Sequence, residues 1–228
     1  MKKFILLTLF CSSIAFTQIE KNIDNFNKVT SFDQIDVVLV QSNENKVVLN
    51  GKGADDVTLI IKDGELKIRM PLLKMLSGND VSATVYYNAI DAVEANEGSR
   101  ISSNDILKAI HFDVISKEGA EIKLELNVSR VTVKAASGGK IFLSGNATNQ
   151  EVVLGSGAVL DAEKLSTTQT IITANAGSDA TVYATEFVDA KVRAGGIITV
   201  YGNPKQLNKK TIAGGKIIKF NDRTESKN

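Results

Sequence analysis

A glycine followed by a small residue recurs along more than half of this chain, at Gly98, Gly119, Gly138, Gly157, Gly177, Gly195 and Gly214, with spacings of 18 to 21 residues. The following residues are Ser99, Ala120, Gly139, Ala158, Ser178, Gly196 and Gly215. Three positions past each glycine lies an apolar column of Ile101, Ile122, Ile141, Leu160, Ala180, Ile198 and Ile217. Five positions before it lies a second, Val93, Val114, Val133, Val152, Ile172 and Ala190, which fails only at Lys209. Glycine accepts the positive φ of a tight turn without steric cost. A small neighbour lets successive turns stack, and the β-branched columns point inward onto their counterparts. One such repeat cannot bury its apolar face alone, whereas a stack shares one continuous core.

Two all-β architectures satisfy this pattern. In a solenoid each repeat is one coil, and equivalent residues lie above one another. In a sandwich the glycines mark alternate hairpins. Recurrence of the same residue types in the same column favours the coil, with about 19–20 residues per repeat. The second turn of each repeat is less regular and uses Asn104, Asn127, Asn146, Ser166, Glu186 and Asn203.

Ahead of the repeats, residues 18–89 read as an antiparallel β meander. Ile35, Val37 and Leu39 alternate with Asp36, Val38 and Val40, and Val57–Ile61 faces Leu66 and Ile68 across Lys62-Asp63-Gly64-Glu65. Asp-Gly between alternating runs signals a hairpin, because both central positions take positive φ. Pro71–Asp80 interrupts the pattern as a loop, and Val81–Tyr87 resumes it. The expected organisation is therefore a leader over 1–17, the meander over 18–89, a two-sheet solenoid over 90–220 and a disordered tail over 221–228.

The leader has the three parts of a secretory signal peptide: Lys2 and Lys3, the apolar Phe4–Phe10, and the small Ser12, Ser13 and Ala15. Cleavage is expected after Ala15 or Thr17, with export to the periplasm or the outer cell surface. Cys11 also admits a lipidation reading, which the bulky Phe10 before it disfavours. Losing Lys2 and Lys3 takes the formal charge from +1 to −1. A near-neutral chain gives no electrostatic case for nucleic acid, and the apolar run is too short for a comfortable membrane span.

Several residues also resemble a known family. Asn25-Phe26-Asn27-Lys28-Val29, followed by Ile35–Gln41, resembles the opening of the head GIN domain proteins, a family of putative autotransporter adhesins. Gly155-Ser156-Gly157 is similar to the family's Gly-Ser-Gly turns, and Tyr201-Gly202-Asn203-Pro204-Lys205 to its closing segment, so the resemblance spans about 25–220. It implies a superhelical fold similar to right-handed, pectate-lyase-like solenoids, with glycine turns joining two sheets. It also implies an envelope or cell-surface role in adhesion. Where relatives carry Gly-Ser-Gly-Asp, this chain has Glu97-Gly98-Ser99-Arg100 and Glu118-Gly119-Ala120-Glu121, so the acidic residue after the turn is mostly lost.

Chemistry-bearing residues are sparse. His111 is the sole histidine and lies beside Phe112 with no acid and serine pattern, so it reads as a surface residue. With Cys11 in the leader, no Cys/His set suggests zinc, and no cofactor is expected. Asp161, Asp179 and Asp189 fall at different offsets from their glycines and are not expected to share a face. Arg100, Glu121, Lys140 and Lys216 share one column with mixed sign, which reads as a solvated stripe. Ser137-Gly138-Gly139-Lys140 and Ala213-Gly214-Gly215-Lys216 read as turns, not phosphate cradles. The tyrosines are assigned to edges and turns, and Lys209, Lys210, Lys216 and Lys219 to protection of the last edge. The expected function is a non-enzymatic surface interaction module whose partner is a glycan, an envelope protein or another surface ligand. A carbohydrate-active solenoid enzyme and a self-assembling structural component are the rival readings.

Overall fold

The computed structural model describes residues 18–220; the expected signal peptide with Cys11 and the expected disordered tail lie outside them. The fold is a β-solenoid of about seven turns with about 19 residues per turn, preceded by a meander of short strands. The coils are built from β1 (Ile19–Asn22), β2 (Lys28–Ser31), β3 (Asp36–Gln41), β4 (Lys46–Gly51), β5 (Thr58–Lys62), β6 (Glu65–Arg69), β7 (Val81–Tyr87) and β8 (Ala92–Ala95), then the long β9 (Arg100–Lys117), β10 (Glu121–Ala136), β11 (Lys140–Leu154), β12 (Val159–Asn175) and β13 (Asp179–Arg193), and finally β14 (Ile197–Tyr201), β15 (Gln206–Ile212) and β16 (Lys216–Lys219).

The long strands pair in parallel, each with the next, and each contributes to both sheets of the coil. Ile122 sits opposite Ile101 and Ile141, and Val133 opposite Val114 and Val152. Both predicted columns are buried to 1% exposure or less from Val93 to Ala190 and from Ile101 to Ile198. Burying each Val, Ile or Leu of these columns is worth roughly 1.5–3 kcal/mol, so the core is a double file of aliphatic side chains running the length of the stack. The stacking reading, not the sandwich, is the fold.

The turns show why the glycine repeats. Glu97 and Gly98 have φ of 55° and 71°, and Ser137 and Gly138 have 52° and 75°. Two successive positive-φ residues form a type I′ turn, closed by the Gly139 N–H donating to the Ala136 carbonyl at 3.0 Å. The turns also bond to each other. The N–H groups of Gly98, Gly119, Gly138 and Gly157 donate to the carbonyls of Glu118, Ser137, Ser156 and Ala176 in the next coil at 3.0–3.1 Å.

The meander supplies antiparallel pairs at the N-terminal end, β1 with β4, β4 with β7, and β5 with β6. Two of its strands are also taken into the parallel stack. β2 lies between β6 and β8, and β3 between β7 and β9, in parallel register. Val29 thus extends one apolar column between Leu66 and Val93, and Val37 extends the other between Ala83 and Ile101. The turn between β2 and β3 repeats the glycine geometry without glycine: Asp33 and Gln34 have φ of 58° and 66°, and the Gln34 N–H donates to the Glu97 carbonyl at 3.0 Å.

The two residues of a Gly-Gly turn carry different constraints. Around Gly138 there is open space for a Cβ, whereas a Cβ on Gly139 would collide with the backbone carbonyl of Ser116. Asn tolerates the left-handed region. Gly138→Asn should therefore cost less than about 1 kcal/mol. Gly139→Ala should cost about 2–3 kcal/mol, because the opposing backbone cannot yield. Urea unfolding of the two variants checks the order.

Candidate interaction surface

The outward residues of each sheet alternate with the buried columns, so two faces are available to a partner. On the first sheet, beyond the glycine turns, the outermost column reads Asp36, Arg100, Glu121 and Lys140 in consecutive register. Arg100 and Asp36 are ion-paired at 2.6 Å. The hydrogen bond that Arg100 donates to Asp36 is the main cause that raises the Arg100 pKa, against partial desolvation. This column is the expected stripe as far as Lys140, extended by Asp36 from outside the glycine repeat; Val159, Asp179 and Ile197 separate it from Lys216.

A second charged network crosses the N-terminal rows of the other sheet. Lys67, Glu65, Lys28, Glu94 and Lys117 alternate in sign across four strands, with contacts of 3.2, 3.1, 2.6 and 2.8 Å. Burial alone would raise the Glu94 carboxyl, but hydrogen bonds from Lys117 and Lys28 outweigh it and hold the pKa below the ordinary glutamate value. Burial is likewise outweighed at Glu65, by hydrogen bonds from Thr30, Lys28 and Lys67. At Lys28 desolvation is outweighed by its two glutamates, and the pKa is raised. These charges are occupied with one another, which marks the network as structural.

The groove on the first sheet differs. It holds about 410 Å³ and is lined by Ser103, Asn104, Lys123, Glu125, Phe142, Ser144, Asp161 and Lys164. It forms where the coils turn their irregular second corner, since the register shifts between Lys123 and Glu125, between Phe142 and Ser144, and between Ala162 and Ser166. A bulge breaks the pairing and re-aims side chains. Lys123, Glu125 and Lys164 make no ion pair among the described residues, and they surround the half-buried Phe142 ring. Asp161 is held by the Thr181 hydroxyl, which donates to its Oδ1 at 3.1 Å.

Other predicted positions fall as follows. His111 does have an acid beside it: Asp113, two residues along the same strand, lies 2.9 Å from its Nε2. Thr132 Oγ1 contacts the same nitrogen at 2.9 Å. A relay needs acid and hydroxyl on opposite ring nitrogens, so this exposed cluster is not one. Asp161 and Asp179 do share the outer face of the first sheet on adjacent strands, displaced by two residues, contrary to the expectation from their offsets. Asp189 lies on the other sheet, opposite Ile171. No group of three or more metal-capable side chains gathers among the described residues. The tyrosines are less scattered than their sequence positions: Tyr183 pairs in register with Tyr201, whose ring stacks on Phe220 with centroids 4.8 Å apart. Those rings spend their faces on each other. Lys209 and Lys210 lie on β15 and Lys216 and Lys219 on β16, the last strands of the stack.

The groove escaped sequence reasoning because its four coils contribute unlike residues even at equal offsets: Lys123, Phe142 and Asp161 each lie four past a marker glycine. Only the irregularity of the second turn hinted at it. No helix among the described residues is long and apolar enough to cross a membrane.

These features define a β-solenoid stacked on glycine turns, with structural charge ladders at one end and an amphiphilic groove midway. The chain belongs to the head GIN domain family: the family described as "Putative auto-transporter adhesin, head GIN domain" matches residues 25–204. Among solved structures, a putative adhesin from Bacteroides fragilis is similar at 18% identity and a TM-score of 0.84, covering 91% of this chain and 98% of its own. A putative adhesin from Parabacteroides distasonis matches at 16% identity and a TM-score of 0.73, covering 90% and 97%. A structure from the same species described as a putative lipid binding protein matches at 16% identity and a TM-score of 0.69, covering 90% and 96%. At these identities the likeness is one of fold. No curated protein matches the sequence.

The occupied charge network makes a pH prediction. The depressed carboxyls of Glu65 and Glu94 contribute stability above the ordinary glutamate pKa of about 4.5, and it is lost as pH falls through their lower folded values. Lys28→Met should remove about 1–3 kcal/mol at pH 7 by leaving half-buried carboxylates short of a partner. It should also flatten the acid limb of the stability curve. Urea midpoints at pH 7, 4 and 3 for wild type and variant measure both effects.

Proposed function

We propose that this protein is an exported, non-enzymatic interaction module of the cell envelope or cell surface, and that the groove around Phe142 is its recognition site. The observation that carries the reading is the contrast between the two kinds of charge on the surface. Lys67, Glu65, Lys28, Glu94 and Lys117 are matched by one another, whereas around Phe142 two cations, an anion and an amide lie beside an aromatic ring with no ion pair among the described residues. Polar groups of both signs around one apolar anchor suit a glycan or an extended peptide segment of an envelope protein. The irregular corner supports this reading, because binding residues concentrate where a rigid scaffold carries variable turns. Membership of a family described as adhesins supports the surface role, and the basic-apolar-small leader supports export.

The test has two parts. Protease added to intact cells should degrade the protein; full protection would remove the surface half of the reading. Cell or surface attachment by the purified protein should fall about ten-fold in Phe142→Ala and Lys123→Glu, with an unfolding midpoint close to wild type, since an anchor aromatic is worth about 1.4 kcal/mol or more. Attachment unchanged in both variants would reject the groove.

A further inference from the structure

The loop between β6 and β7 displays its apolar residues outward. Leu72 and Leu73 are 76% and 98% exposed, and Met75 and Leu76 are 43% and 52% exposed. Scattered surface leucines need no explanation, but four large apolar side chains within five residues form a patch.

The fold holds that patch out from its neck. Asp33 is fully buried, and its two carboxylate oxygens accept the Met70 and Leu76 N–H groups, each at 2.9 Å. Its backbone carbonyl accepts the Gly78 N–H at 3.0 Å. The Val81 N–H donates to the Gly78 carbonyl at 2.8 Å, closing the turn into β7, so the loop is anchored at its neck and its tip is carried on the outside. Leu76 has φ of 59°, a conformation that costs a leucine about 1–2 kcal/mol. Lys74 and Asp56 are ion-paired at 2.6 Å, joining the loop to the neighbouring Ala54–Asp56 turn. A buried carboxylate and a strained leucine thus keep an apolar tip from folding back onto the core.

We propose that this loop is a membrane-docking tip that inserts Leu72 and Leu73 into the interfacial layer of a phospholipid bilayer. The shape favours a bilayer as the occupant. Leu73 is open on all sides, and a lipid surface accepts a convex apolar tip without a preformed cleft, as a protein partner would not. Charge agrees, because Lys52 and Lys74 are offset by Asp55, Asp56 and Asp80, so docking rests on apolar insertion and not on anionic headgroups. The path of the chain agrees too. Ile19 pairs with Leu49 and Gly51 with Val81, so the first described strand begins at the edge that carries the loop. Moored there, the solenoid would stand with its groove several coils away from the bilayer.

The chain has no tryptophan, so Leu73→Trp creates a reporter that the apolar leader cannot mimic. With phosphatidylcholine vesicles its emission should shift to the blue and be quenched by brominated acyl chains, and both effects should persist in high salt. Ile110→Trp, on an exposed residue in the middle of β9, should show neither. Adding Leu72→Ser and Met75→Ser to the Leu73→Trp chain should raise the lipid concentration needed by about ten-fold or more. An unchanged Leu73→Trp spectrum, equal quenching at both reporters, or loss of the shift in high salt would each overturn the proposal. A blue shift that grows with protein concentration in the absence of lipid would overturn it in favour of a second copy of the chain.

Discussion

Each coil of this solenoid is fastened to the next at its corner, where a glycine N–H meets the carbonyl of a left-handed residue one coil on. At the glycine corners two successive residues take positive φ and the residue after them is small, so the neighbouring backbone can approach; at the first corner Asp33 and Gln34 make the same bond with Ile35 following. The apolar files come into register because the corners do. With the corners stacked, Ile122 has Ile101 on one side and Ile141 on the other. The groove, the ladders and the loop all depend on that repeated contact.

The surface divides according to what its charges do. At the N-terminal rows they alternate and satisfy one another, which stabilises parallel strands that carry like residues at equivalent positions. Midway, the register breaks leave Lys123, Glu125 and Lys164 open around Phe142. A strictly regular solenoid would present only identical columns. Irregularity at one corner is what allows a site of mixed chemistry on a repetitive scaffold.

The repeats were legible in the sequence because glycine is chemically unambiguous at a positive-φ corner, and because six aliphatic residues hold one column almost without interruption. The Asp63-Gly64 hairpin was legible for the same reason. The first corner was hidden because Gln34 stands in the glycine position, held there by its bond to Glu97 and not by its own preference. Asp36 was therefore not placed on the Arg100 column. The pairing of His111 with Asp113 lay in plain sight as an i, i+2 step along a strand, yet only the outward direction of both side chains makes it a contact. The groove had no local signature, since bulges belong to pairs of strands and not to one segment.

The place of β2 and β3, between strands that follow them in the chain, separates this molecule into two parts with different histories open to them. From β9 onward, neighbours in space are neighbours in sequence, so a unit of about 19 residues could be duplicated or lost with its corner bond intact. At the other end, the segment made first must wait for β6 and β7 on one side and β8 and β9 on the other before both its edges are covered. Long-range closure of that kind is slow, and a chain crossing a membrane from its N-terminus would complete this end only after nearly a hundred further residues had emerged. The repeats can vary in number across evolution; the interleaved end has to be inherited whole.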